Sequence, residues 1–176
     1  MDILLYPDPR LRRPNAPVAD FGEPLERAVR EMFRLMYATK GVGLAAPQVG
    51  LSARMLVYNP EGDPQEAGEE RVLCNPRILR QSREKEVAEE GCLSFPGIYV
   101  QVERSVEVTV EAQDLRGQPF RLELSGWNAR IFLHEFDHLD GILFTDRITP
   151  GDKVRIKAAL EELRDRFTGS STRAEG

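Results

Sequence analysis

An α+β fold follows from three features of this 176-residue sequence: an amphipathic helical stretch near the N-terminus, two more near the C-terminus, and short strand-like segments between them. The first helix is predicted from "PLERAVREMFRLMYATK", residues 24–40. There Leu25, Val29, Met32, Phe33 and Met36 recur at helical spacing, Pro24 stands near the first turn and Gly41 follows the end. Then the period shortens. "RMLVYNP" (54–60), "RVLCNP" (71–76), "EKEVAEE" (84–90), "SVEVTVEA" (105–112) and "FRLELSG" (120–126) are bounded by Pro, Gly or Asn, and several alternate and carry β-branched residues, which predicts strands. Helical character returns in "SGWNARIFLHEFDHLD" (125–140) and in "TPGDKVRIKAALEELRDRF" (149–167), where Val154, Ile156, Ala159, Leu160 and Leu163 supply an apolar face. Two segments read as irregular. "YPDPRLRRPNAPV" (6–18) is expected to run as extended coil over the surface, and the acidic "EGDPQEAGEE" (61–70) as a mobile surface connection. Residues 1–168 form one domain, and 169–176 read as a disordered tail.

Composition narrows the functional class. With 24 basic against 29 acidic side chains, the net charge of −5 gives no basic surface for coating DNA. No run approaches the ~18 continuous apolar residues of a membrane span, and "MDILLYPDPR" lacks the charged and apolar regions of a signal peptide, so a cytoplasmic location is expected. Cys74 and Cys92 are too few for a disulfide framework, and no CxxC occurs. Both are expected as thiols.

The stretch "HEFDH" concentrates the chemistry. Its two histidines, His134 and His138, are the whole supply of imidazole in the chain. On a helix, residues four apart project from one face with Cβ atoms about 5–6 Å apart, which lets both rings reach one metal ion. Glu135 then stands beside the first ligand, placed to take a proton from a water on that metal. A third ligand is needed. The pattern HExxHxxGxxH continues as far as Gly141 but puts Phe144 where its last histidine belongs, which excludes that class. Glu161 or Glu162 would serve a metallopeptidase, though both sit in a charged run that reads as a solvated helix face. Cys92 in "EEGCLSFPG" is the stronger candidate, because a Cys/His/His set with one open position is a catalytic arrangement; Cys74, in the apolar "RVLC", reads as structural. A closed four-ligand structural site would have to recruit Cys74 or a carboxylate.

"GVGLAAPQVG" (41–50) lacks the spacing of GxGxxG and the GK[ST] of a phosphate loop. Its glycines and Ala45–Ala46 leave room for a ligand, and the Gln48 amide can either donate to a ligand oxygen or serve a structural role.

Taken together, "GVGLAAPQ", "EGCLS" and "HEFDH" resemble the three motifs of the peptide deformylases in their order and separations, and the similarity extends to about Ile148. "EGCLSFPGIYV" resembles the bacterial and organellar form. The resemblance implies mostly antiparallel sheets around a central helix bearing HExxH, and a hydrolase that removes the formyl group from the N-terminal formylmethionine of newly made proteins. It also implies Cys92, His134 and His138 as ligands of one divalent metal. That metal would be Fe(II), with Zn(II), Ni(II) or Co(II) able to substitute. Glu135 would be the general acid/base, with Gln48 and the Leu93 backbone N–H holding the oxyanion. Gly43 and Gly91 would bind the peptide as an extended strand, and Val42, Trp127 and Ile131 would line the methionine pocket. The expected partners are formyl-Met N-termini and a transient ribosome contact, with neither DNA nor membrane, and the expected state is a monomer. Two positions depart from the common pattern: Leu133 replaces a glutamine and Tyr99 an arginine, which bears on the groove contacts. Glu90, Asp137 and Arg104 are candidates for an ionic network around the metal ligands, as against a simple surface salt bridge.

Overall fold

The computed structural model describes residues 1–171. Helix α1 (Glu23–Ala38) is followed by seven strands, β1 (Gly43–Ala45), β2 (Met55–Tyr58), β3 (Arg71–Gln81), β4 (Lys85–Gly91), β5 (Tyr99–Ser105), β6 (Glu107–Gln113) and β7 (Pro119–Ser125). Helices α2 (Gly126–Leu139) and α3 (Pro150–Ser171) follow. Every strand pairing is antiparallel. Five strands form one sheet in the order β1-β2-β3-β6-β7, and β4 and β5 form a separate hairpin.

Helix α2 packs on one face of the five-stranded sheet and α1 on the other, so β1 and β2 are buried on both faces and read as continuous apolar runs, whereas β6 alternates. The period of two sorts their side chains between the cores. Leu56 and Tyr58 of β2 join Ala45, Leu73, Val108, Val110 and Phe132 on the α2 side. Met55 and Val57 join Leu44, Cys74, Met32 and Met36 on the α1 side. A third core gathers Val100 and Val102 of β5, Phe95, Phe144, and Ile156 and Leu163 of α3. Ten residues of α2 are buried, among them Arg130, His134, Glu135, Asp137 and His138, so polar groups of this helix must find partners inside the protein.

The structure corrects several sequence expectations. Strand β5 was not expected: Val100, Val102 and Arg104 share its buried face, and the arginine interrupts the apolar alternation. Strand β1 is three residues long and hidden in the glycine motif. Strand β3 runs well past "RVLCNP", to Gln81. Val154 is 76% exposed and lies off the face of α3 that Ile156 and Leu163 bury. The acidic segment 61–70 forms a short 3-10 helix, Pro64–Glu69, tied down by side chains of Tyr37 and Asn59. Of the segment read as a tail, residues 169–171 continue α3, while 172–176 lie outside the described residues.

The proline-rich N-terminus does more than cover surface. It makes a 3-10 turn at Pro9–Arg12 that buries Leu11, and it bonds to the first two motifs and to the residues just after the third. Leu4 N–H donates to the Gln48 carbonyl (2.7 Å) and Tyr6 N–H to the Ser94 carbonyl (2.9 Å). The Asn15 side chain donates to the Leu139 carbonyl at the end of α2 (3.0 Å), and Arg12 donates to the Gly141 carbonyl (3.2 Å). At that junction Gly141 has φ +69°, and a Cβ there would lie 2.7 Å from the Arg12 carbonyl oxygen. Gly141→Ala therefore combines backbone strain with a backbone overlap, and is expected to lower stability by about 2 kcal/mol. Urea unfolding of the two proteins measures the difference; equal midpoints would contradict it.

Candidate active site

Three elements converge on one point. The loop after β4 delivers Cys92, α2 delivers His134 and His138, and the turn after β1 delivers Gln48. One ligand atom each from Cys92, His134 and His138 all lie within 4.8 Å of one another, the one such group found among the described residues. His138 Nε2 is 3.4 Å from Cys92 Sγ. The Gln48 side-chain oxygen accepts from the Ala45 N–H (2.8 Å), which fixes the amide so that Nε2 faces Ser94 Oγ (3.2 Å) and Cys92 Sγ (3.6 Å).

His134 is oriented from behind. Its Nδ1 lies 2.8 Å from Glu90 Oε1, which leaves Nε2 as the free ring nitrogen. Glu90 in turn accepts a fork from Arg104 (Nε and Nη2, both 2.9 Å) and a third bond from Arg130 Nη1 (2.7 Å). The other end of Arg104 donates to Asp137 Oδ2 (2.6 Å), and Arg147 grips Asp137 with two bonds of 2.5 and 2.7 Å. Glu90, Asp137, Arg104 and Arg130 are all buried, two negative charges against two positive, so the expected ionic network is an interior one. Arg130 and Arg147 were not foreseen. A clue to Arg130 stood in the sequence, a lone cation four residues before His134 in an otherwise apolar helix segment; Arg147 left no such signal.

Burial shifts these groups in opposite senses. Desolvation would raise the Glu90 carboxyl, but hydrogen bonds from His134 and Arg104 hold it below the ordinary carboxylate range. Burial likewise opposes protonation of His134, and its contacts with Cys92 and Glu90 outweigh that and raise it. Burial pushes His138 down, and the nearby His134 and Arg104 charges add to it. Burial lifts the Glu135 carboxyl to about 7, against the opposing influence of His134.

Among the described residues, two buried side-chain polar atoms have no hydrogen-bond partner: Glu135 Oε2 and His138 Nδ1. With two imidazoles and a thiol converging beside a carboxylate that lacks a donor, the donor set fits a divalent cation with borderline-soft preferences. Gly43 is needed for the Glu135 position, since a Cβ there would lie 2.7 Å from Glu135 Oε1.

A groove of about 640 Å³ runs past this point, lined by Gly41, Val42, Gly43, Gly91, Cys92, Leu93, Tyr99, Trp127 and Glu135, among others. A recess of about 50 Å³ beside it is lined by Val42, Gly91, Trp127, Ile131, His134 and Glu135. Every residue expected in a pocket or groove wall is thus at the site, with Gln48 reaching it from a buried position. The two departures separate. Tyr99 lines the groove, its ring close to Gly91, whereas Leu133 is buried against the sheet and does not reach the groove. Glu161 and Glu162 lie on exposed positions of α3, paired with Lys157 and Arg166, and Cys74 is buried between α1 and the sheet. Neither source adds a fourth ligand.

The sequence profile of the polypeptide deformylases matches residues 1–154. The chain belongs to this family. Deformylases similar to it include peptide deformylase 1B of Arabidopsis thaliana chloroplasts and mitochondria, 47% identical over 95% of this chain and 61% of the plant protein. The peptide deformylase of Thermotoga neapolitana is 45% identical over 92% of this chain and 94% of its own. The chain therefore spans less than two thirds of the plant relative and nearly all of the bacterial one. A crystal structure of peptide deformylase from Plasmodium falciparum superimposes with a TM-score of 0.93 at 44% identity, covering 96% of this chain and 98% of that one. Deformylases are metal-dependent, in keeping with the Cys92/His134/His138 group.

Glu90→Gln keeps the shape of the side chain and removes the charge that compensates Arg104 and Arg130. Breaking such a buried network is expected to destabilise by about 3–5 kcal/mol, and loss of the carboxylate behind His134 to weaken metal binding about 10–100-fold. Thermal unfolding and Co(II) titration of the variant read both quantities; wild-type values in either would refute the orienting role.

Proposed function

We propose that this chain hydrolyses the formyl amide at the N-terminal formylmethionine of newly made polypeptides, releasing formate and a free amine. The observation that carries this reading is the position of the Cys92/His134/His138 group, with Glu135 and Gln48, where the groove meets a recess walled by Val42, Trp127 and Ile131. Cys92, His134 and His138 would hold one divalent metal. When bound, that ion supplies a Lewis acid that polarises the formyl carbonyl and brings a water molecule's pKa toward neutrality.

The protein's own residues account for the remaining steps. The peptide lies extended along the groove past Gly43 and Gly91, with its methionine side chain in the recess. Glu135, whose Oε2 has no other partner, takes a proton from the attacking water as its oxygen bonds to the formyl carbon. The Gln48 side-chain N–H, held in place through Ala45, and the Leu93 backbone N–H stabilise the negative charge that develops on the carbonyl oxygen. Glu135 then returns the proton to the amine nitrogen as the carbon–nitrogen bond breaks. Gln48 and His134 are each fixed by a second hydrogen bond, so little reorganisation accompanies the charge that develops.

The reading extends to Fe(II) as the working metal, with Zn(II), Ni(II) and Co(II) able to occupy the same donors. It also includes a monomeric state, one catalytic domain over residues 1–168, transient contact with the ribosome, and a cytoplasmic location, where a reducing medium keeps Cys92 a thiol. Among the described residues no helix is long and apolar enough to cross a membrane.

Formate release from a short formyl-Met peptide, measured on anaerobically purified protein, tests the activity; no release with metal bound would refute it. Glu135→Gln is expected to keep its metal while losing most turnover, about 100-fold or more, whereas His138→Ala loses both. Metal analysis beside the rate assay separates the two roles. An open-sited Fe(II) next to a thiolate is vulnerable to oxygen, so the iron form should decay over hours in air while Ni(II)-loaded protein holds its rate. Mass spectrometry of Cys92 along the same time course follows the sulfur, and an air-stable iron form would overturn the iron assignment.

A further inference from the structure

The acidic segment between β2 and β3 stands directly against the recess. Trp127 is 50% exposed, and its indole Nε1–H donates to the Pro60 carbonyl (3.2 Å). Gly62, at φ +63°, brings the tip of the segment against Val42: a Cβ there would be 3.3 Å from Val42 Cγ1. Two of the three apolar walls of the recess therefore lean on this one loop.

What holds the loop is Asn59. It has no exposed surface, and its backbone and side chain are both engaged. Its N–H donates to the Val42 carbonyl (2.8 Å) and its carbonyl accepts from Gly62 N–H (3.0 Å). The side-chain oxygen accepts from Glu61 N–H (3.0 Å), and Nδ2 faces three acceptors: the Asp63 and Glu66 carbonyls, both at 3.1 Å, and the Tyr37 hydroxyl at 3.0 Å. The Tyr37 hydroxyl donates to Glu70 Oε1 (2.7 Å), which fastens the far end of the loop to α1. A five-carboxylate loop would otherwise be spread by its own charge. These neutral donors hold it closed.

We infer that the loop 59–70 is the specificity element of the recess, with Asn59 a positioning residue that sets Trp127 through the Pro60 carbonyl and Val42 through its own N–H. The inference rests on the deformylase reading for its substrate. Its geometry does not. The Asn59 hydrogen bonds go to Val42, Tyr37 and the loop itself, so its effect should fall on selection of the N-terminal side chain more than on the chemical step.

Trp127 is the sole tryptophan of the chain, so its fluorescence reports on the recess without substrate. Asn59→Asp keeps the shape of the side chain while removing the donor to Asp63 and Glu66. It is expected to shift Trp127 emission to longer wavelength, raise KM for a formyl-Met dipeptide about fivefold or more with little change in kcat, and reduce the preference for formyl-Met over formyl-Ala by a similar factor. Tyr37→Phe, which removes a single clamp, should move all three readouts the same way by less, and it serves if the buried Asp is not tolerated. Combined with Trp127→Phe, the effect of Asn59→Asp on selectivity should shrink to the part that runs through Val42, since the indole carries the rest. Unchanged emission and an unchanged Met/Ala ratio in folded variants would overturn the inference. Wild-type protein that releases no formate would instead sink the deformylase reading, and the emission of the variants would still decide whether the loop sets the recess.

Discussion

A single buried carboxylate organises the site. Glu90 takes bonds from Arg104, Arg130 and His134, and through Arg104 it is joined to Asp137 and Arg147. These residues come from β4, β5, both ends of the HExxH region of α2, and the segment after it. An unpaired charge in such a position would be prohibitive, so the folded state is committed to an arrangement in which all the partners are present together. Cys92 follows Glu90 by two residues, and His134 is bonded to it directly. Two of the three proposed metal ligands are thus set by one group, before any metal is considered.

The sheet and the N-terminal strap supply the rest of the geometry. The five-stranded sheet packs against α2, and the turn after β1 brings the Gln48 amide to Cys92. The first fifteen residues then join the first two motifs to the end of α2 through backbone bonds at Leu4 and Tyr6 and a side-chain bond at Asn15. Close approach is the other requirement. Gly43 admits Glu135 and Gly91 admits the Tyr99 ring, and at each a Cβ would overlap the side chain that occupies the space. Glycines in the motifs are therefore clearances for neighbouring side chains as much as sources of backbone freedom.

Much of this was legible beforehand where the signal is local. Helical spacing revealed α1 and α2, alternation revealed most of β2 to β7, and the four-residue interval of His134 and His138 announced a shared face. Strand β5 escaped because Arg104 occupies a buried position that an apolar pattern would give to a hydrophobe. The acidic loop looked mobile because nothing in "EGDPQEAGEE" names the Asn59 and Tyr37 groups that pin it. Leu133 shows the converse, a departure that seemed to touch the groove and instead faces the sheet.

The sequence by itself determined the α+β class, the candidate ligand types, and the carboxylate beside the first histidine proposed to move protons, because each depends on side-chain chemistry or on spacing within one element. Only the tertiary structure decided that Cys92 meets the two histidines, that Glu90 fixes the His134 ring, that Arg104 and Arg130 balance the charge of Glu90, and that a loop braces Trp127. Those are contacts between residues tens of positions apart. Their distances are set by how sheet, helices and strap pack, and no local period along the chain encodes them.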